Sequence, residues 1–454
     1  MTGHRIGSSC AGESCKSAVR VSESVSESES ESESESEFAM TSRAIFVLIL
    51  ASPRVFCQSS SIELTVSQIT HGPRQHLFGY IGQCRTIPWS GDGRYILSLE
   101  VGFHDRMPGP DDVADIVLLD TRSGYKIEKL DRTLAWNFQQ GTMLYWHPRS
   151  AKTQFLFNDR DPTTGRVFTV LYDIEKRKRV REYRFDDTPI GNGGVAQDGS
   201  AFLGLNYGRL ARLRPVTGYP GVPDWSKASD APSNDGMFRV DIATGERRVV
   251  VSYRQLADRL RERGVDVRGT GLFINHTLWN RAGDRIYFFV RGAWSGRPGT
   301  KINTPCSVRP DGTELVLHDV HIGGHPEWAE GDLLIGRSGV KQVLYDVRKK
   351  TVVGVLGTPQ IFPNPEGDIS LSPDGKWFVN GWKARDGTRY AVYRLADKLS
   401  ARSPSFERGK YSGELRIDPA PRWNRSGDML LVPGIASDGT RQLFVIGVHV
   451  RRSE

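Results

Sequence analysis

Trp89-Ser-Gly-Asp-Gly-Arg-Tyr95 is a polar turn between two apolar stretches, and the chain keeps returning to it. It recurs as Trp279-Asn-Arg-Ala-Gly-Asp-Arg285, Leu371-Ser-Pro-Asp-Gly-Lys-Trp377 and Trp423-Asn-Arg-Ser-Gly-Asp-Met429. Weaker copies open at Leu144-Tyr-Trp-His-Pro148, Gly194-Val-Ala-Gln-Asp-Gly199 and Pro326-Glu-Trp-Ala-Glu-Gly-Asp332. After each copy comes a β-branched and aromatic run, a second turn, and a strand ending in a DxxTG-like hairpin. Val117-Leu-Leu-Asp-Thr-Arg-Ser-Gly124 and Phe238-Arg-Val-Asp-Ile-Ala-Thr-Gly245 are examples. An all-strand unit repeating every forty to fifty residues is the mark of a β-propeller. Seven copies predict an all-β, seven-bladed ring.

The pattern assigns blade one to 84–130, blade two to 140–185 and blade three to 193–251. Blades four to seven begin at Phe273, Gly324, Asp368 and Pro421. Residues 209–235, rich in Pro, Gly, Asp and Ser, read as an overhanging loop inside blade three. Tyr253-Arg-Gln-Leu-Ala-Asp-Arg-Leu-Arg-Glu-Arg263 has helical spacing and predicts a short connecting helix. The strand 62–70 has no partner of its own, and is expected to complete the last blade and close the ring.

Residues 1–57 stand apart. Ser22 to Glu37 alternates Ser and Glu with almost nothing to bury, so residues 1–39 are expected to be disordered. Residues 40–57 follow the order of a signal peptide: Arg43, the apolar run Ala44–Ala51, then small and polar residues near Cys57. Met40 is therefore the expected start, residues 58–454 the mature propeller, and the periplasm or the exterior its location. No stretch reaches the roughly 18 apolar residues of a membrane span.

The 454 residues carry a formal net charge of +8. Setting aside the eight Glu and five Lys/Arg of residues 1–57 leaves 56 basic against 45 acidic residues. Such a balance suits an acidic polysaccharide or oligosaccharide as partner. No RNP, helix-turn-helix or finger pattern is present, and no nucleic-acid partner is expected. A monomer is expected. Of five Cys, only Cys84 and Cys306 lie beyond residue 57, and their spacing implies no pairing.

In a propeller the innermost strand of each blade starts beside the central channel, and the loop after the second strand emerges on the same face. Counting three residues back from a signature gives His276, His325, Asp368 and Ala420. The loops supply Asn158, Asp159 and Arg160, then Asn206, Tyr207 and Arg209, then Arg291. Imidazoles and carboxylates suit a divalent metal. A His beside Arg also suits removal of a proton from a uronate whose carboxylate the Arg neutralises. Trp136, Gln139 and Gln140, directly before an inner strand, are candidates to contact sugar.

Ile69-Thr-His-Gly-Pro-Arg-Gln-His-Leu-Phe-Gly-Tyr80, Ala135-Trp-Asn-Phe-Gln-Gln-Gly141, Asn158-Asp-Arg160, Leu205-Asn-Tyr-Gly-Arg-Leu-Ala-Arg-Leu-Arg-Pro215, Asn275-His276 and Pro421-Arg-Trp423 resemble the bacterial secreted propellers related to oligogalacturonate lyases. The resemblance covers most of residues 62–447. It implies β-elimination from short galacturonides, with a Mn²⁺ held by His and Gln side chains and a further His as base. By position His276 resembles the base, with Arg209 and Arg291 on the carboxylate, and His325 resembles a metal ligand. Relatives carry His before the sixth and seventh signatures, where this chain has Asp368 and Ala420. Asp368 and Asp418 are then the candidates to replace the missing nitrogens. Two alternatives stand beside the lyase-like reading: a non-catalytic carbohydrate-binding propeller with a degenerate metal site, and a TolB-like envelope scaffold.

Overall fold

The computed structural model describes residues 60–79 and 86–452. The expected disorder of residues 1–39, the signal peptide at 40–57 and the blade-one start at Cys84 lie outside them. The described residues form seven four-stranded antiparallel sheets, the blades of a β-propeller. Ser60–Gln68 pairs with the last strand, Arg441–Arg452, with Ile62 opposite Val450, so the N-terminal strand completes blade seven.

The signature Trp explains why the unit repeats. Its indole N–H donates to a carbonyl of the preceding blade: Trp328 to Leu278 at 2.9 Å, Trp423 to Ser370 at 3.1 Å and Trp279 to Gly194 at 3.2 Å, each on an inner strand, and Trp146 to Pro88, beside the blade-one signature, at 2.7 Å. Each ring is buried while its polar edge is satisfied, so one residue supplies both core area and a stitch between blades. The core lies between neighbouring sheets. Leu278 and Tyr287 of blade four meet Trp328 and Tyr345 of blade five, and Val379 and Tyr390 of blade six meet Trp423 and Leu430 of blade seven. After Trp89, Trp279 and Trp423 the turn closes on a side chain, that of Ser90, Asn280 or Asn424. Asn424 Oδ1 accepts the backbone N–H groups of Gly427, Asp428 and Met429, with Gly427 at φ +73°, where an L side chain is strained.

Two assignments shift. The innermost strand of blade one is Gln75–Leu77, upstream of the signature, and Trp89 rejoins the sheet through a single bridge to Ile96. His76 is buried in that strand, with Gln442 Oε1 at 2.8 Å and Glu100 Oε2 at 3.2 Å, which ties blade one to blade seven. The segment read as an overhanging loop is opened by a helix, α1 (Tyr207–Leu213), capped by Asn206, and much of it is buried. Gly208 and Gly218 permit that packing. A Cβ at Gly218 would lie 2.1 Å from the Ala211 nitrogen, and one at Gly208 would lie 2.2 Å from the Pro223 carbonyl oxygen. The connecting helix, α2 (Tyr253–Glu262), forms where its periodicity predicts, behind a capping box of Ser252 and Gln255. Among the described residues no helix is long and apolar enough to cross a membrane.

Candidate functional site

The residues three before four of the signature Trp share a backbone conformation. Met143, His276, His325 and Ala420 have φ of 54°, 57°, 53° and 43°, the left-handed region that non-glycine residues rarely adopt. In blades four and five the strand register slips there, between Asn275 and Leu278 and between Gly323 and Glu327. A bulge of this kind re-aims one side chain out of the strand's alternation. Such strain costs on the order of 1–3 kcal/mol per residue and concentrates at functional positions.

The bulges bring two imidazoles together. The His276 and His325 rings stack with centroids 5.0 Å apart and planes 19° apart. They line a cavity of about 210 Å³ with Arg291, Trp294, Arg214 and Arg416. Arg291 lies over the Phe289 and Trp294 rings, and its Nε donates to Asn303 Oδ1 at 2.9 Å. Arg214 and Lys301 also face Trp294, at 5.3 and 3.6 Å from the ring centre. Three cations therefore converge on one indole. Burial, with Arg214 and Arg291 beside it, lowers the Lys301 ammonium below its ordinary range. Burial pushes His276 well below the ordinary histidine range, helped by Arg291, His325 and Arg214, so its imidazole is neutral at neutral pH. The wall carries three arginines against one carboxylate, Glu366, which pairs with Arg337, and its buried base is uncharged.

Behind His325 sits Asp368. His325 Nδ1 is paired with one Asp368 oxygen, and the other accepts the Ala420 backbone N–H at 2.9 Å. Burial opposes ionisation of Asp368, yet His325, the Ala420 N–H and Arg422 together hold its carboxyl below the ordinary range. Asp418 takes no part in this pair. Its Oδ1 accepts Lys383 Nζ at 2.7 Å and Arg416 Nε at 3.0 Å.

The Mn²⁺ site implied by the resemblance does not fit this donor set. Both Asp368 oxygens and His325 Nδ1 are engaged with one another or with the backbone, Asp418 serves two cations, and Ala420 offers no donor side chain. No cluster of three or more His, Cys, Asp or Glu able to hold a metal occurs among the described residues.

The other sequence candidates lie away from this cavity. Arg209 is fully enclosed, over the Tyr253 ring, and donates to the carbonyls of Leu272, Ser229 and Asp230 and to Ser226 Oγ. Asn206 caps α1 and donates to Asp224 and Asp235, while Tyr207 stacks on Tyr219 at 4.1 Å and donates to the Asn192 carbonyl. Asn158 joins Asn192, Thr169 and Tyr219. Asp159 accepts from the Leu134 N–H and Arg179, and Arg160 donates to the Pro110 carbonyl. Trp136 donates to the Asp112 carbonyl, and the backbones of Gln139 and Gln140 donate to Asn137 Oδ1. The contacts of Asn158, Asn206, Tyr207 and Arg209 involve the blade-three insertion, and the rest are made to blades one and two and the connection between them. That insertion reaches into the funnel, where Gly218 O accepts Asn137 Nδ2 and Tyr219 OH accepts Asn158 Nδ2, while its Arg214 and Thr217 line the cavity.

The sequence did not single out Arg214, Trp294, His321 or Arg416, which line the same cavity. The one available signal was Trp294, three residues beyond Arg291 in a Gly-rich loop.

No family model matches the chain, and no curated protein matches it. Among solved structures it is similar to TolB from Acinetobacter baumannii, at 10% identity over 87% of this chain and 97% of that one, with a TM-score of 0.38. It is also similar to an oligogalacturonate lyase in complex with manganese, at 13% identity over 86% of this chain and 98% of that one, with a TM-score of 0.55. The chain thus has the seven-bladed propeller fold of that lyase.

Proposed function

We propose that the protein binds acidic, uronate-containing oligosaccharides in the cavity of blades four and five and acts on them by a lyase-like β-elimination with His276 as base. The supporting observation is a neutral, enclosed imidazole set beside Arg291 and Arg214. Arginine fits a carboxylate in a bidentate manner and stabilises the charge that grows on it as the neighbouring C–H bond breaks. The proton on C5 passes to His276, the C–H electron pair forms the C4–C5 double bond, and the C4–O bond breaks. The departing oxygen takes a proton from water or from the imidazolium. A bound carboxylate offsets the same arginines that depress His276, which returns the base toward its ordinary range when substrate is present. No step uses a metal.

The product carries a double bond conjugated with the carboxylate and absorbs in the ultraviolet. Incubation with short galacturonides should therefore raise the absorbance, and a flat trace with bound sugar would remove the catalytic half of the proposal. Ala420, in place of the donor that relatives carry, favours the second reading, a carbohydrate-binding propeller without turnover. The same trace separates the two.

A further inference from the structure

We infer that blade seven holds a small inorganic anion of halide size between Arg422 and Arg441, in a second cavity against blade one. The inference is independent of the function proposed above, because this cavity shares no lining residue with the one that holds His276.

The cavity measures about 10 Å³, room for one water-sized particle and too little for a sugar or a polyatomic acid. Arg422 and Arg441 line it, and its other side chains are apolar, Phe78, Leu431, Val432 and Leu443 among them. Both arginines are almost wholly enclosed, at 4% and 3% exposure. Arg441 Nη1 donates to the Phe138 carbonyl at 3.1 Å, while its Nε–H meets no hydrogen-bond partner among the described residues. Nor does a carboxylate among them pair with it. Asp418 acts on Arg441 from a distance, but its ion pairs are with Lys383 and Arg416, and Asp368 is taken by His325 and the Ala420 N–H. Burial brings the Arg441 guanidinium down to about 10 against the influence of Asp418 and Tyr411, so it stays charged at neutral pH.

An enclosed cation without a counter-ion is costly, and two guanidiniums on one cavity also repel each other. A guanidinium has donors and no acceptor, so the side chains of this wall present N–H groups and carbon alone. A water there satisfies the open N–H and leaves the charge as it was. A monatomic anion accepts from the N–H and neutralises the charge at once.

The test is a halide titration of the full chain. Protein is exchanged into sodium gluconate, whose anion is too large for the cavity, and chloride is then substituted at constant ionic strength. The melting temperature should rise by about 2–5 °C once chloride reaches a hundredfold excess over its dissociation constant, and the gain should saturate. Arg441→Gln should make the melt indifferent to chloride. Should that variant fail to fold, crystals of the wild type soaked in bromide answer the same question, with an anomalous peak expected within hydrogen-bonding distance of Arg441 Nε. Equal melts in chloride and gluconate overturn the inference, as does a bromide soak that leaves only a water at Arg441. A chloride effect that persists in Arg441→Gln puts the ion elsewhere and overturns it too. None of these outcomes bears on the sugar cavity, whose lining contains neither arginine.

Discussion

Asn158 and His276 both face the funnel from their own blades, yet their surroundings differ. On the side of blades two and three, the insertion that starts at α1 descends onto the inner ends. There Asn158 meets Asn192, Thr169 and Tyr219, and Arg209 meets three carbonyls and a hydroxyl, so polar groups are spent on one another. On the side of blades four and five, the imidazoles stand on bulged backbone at the wall of a cavity crowded with cations. A funnel lined with polar residues is thus not one site. Satisfied groups hold the ring together, and the charge-imbalanced sector is the one proposed to take a ligand.

Paired substitutions break or sharpen that contrast. The largest effect is expected at His276. His276→Ala should lower the rate of ultraviolet product formation by about 10²–10⁴-fold, the usual worth of a general base, with sugar affinity little changed. Comparable loss of binding would mean that His276 holds the ligand and does not act as base.

Next in size are changes to the structural half. Trp328→Ala should cost about 3–5 kcal/mol in denaturant unfolding, because it removes a buried indole and a stitch between blades. Arg209→Ala should cost about 3 kcal/mol, through buried acceptors left without a donor. If Arg209→Ala instead leaves the melt intact and abolishes sugar binding, the division of the funnel is drawn in the wrong place.

The pH dependence tests buried imidazoles that lie outside the cavity lining. Burial, with Lys350 and other nearby cations, brings His318 down to about 4, while its nitrogens meet Tyr345 OH and Ser307 Oγ at 2.9 Å each. Its folded pKa lies below the unfolded value near 6.5, so the unfolded chain takes the proton first as pH falls. Stability from this residue is complete above pH 6.5 and declines toward pH 4, by about 3 kcal/mol in all. Burial lowers His104 further, to about 3, and extends the decline. Urea melts of wild type and His318→Gln at pH 7 and 4.5 should show a shallower loss in the variant; equal slopes would remove His318 from the account.

Smallest is the effect of one cation at the cavity. Arg291→Ala should weaken acidic sugar binding about tenfold and barely alter the melt.

The fold was legible because its signal is repeated and local. The signature Trp, its Asp-Gly turn and the hairpin endings recur wherever a blade begins, and the spare strand at residues 60–68 had one edge to fill. His276, His325 and Asp368 were legible by the same route, since position within the repeat sets position around the axis. That Arg209 and Asn158 lie outside the cavity lining was not legible, because an insertion obeys no repeat. Nothing in residues 209–235 shows that Gly208 and Gly218 allow it to pack into the funnel and use up those polar groups. Arg214 and Arg416 were invisible for a related reason: they reach the cavity from connections, which the periodicity does not index.

The central claim is that the cationic cavity beside His276 and His325 takes an acidic sugar. Calorimetric titration of the wild type and of an Arg214→Ala/Arg291→Ala double variant with digalacturonate and its neutral counterpart tests it most directly. The account predicts that the wild type binds the acidic sugar well above the neutral one, and that the double variant loses this preference while keeping its melting temperature. Equal binding of both sugars by wild type, or a preference that survives in the double variant, would contradict it.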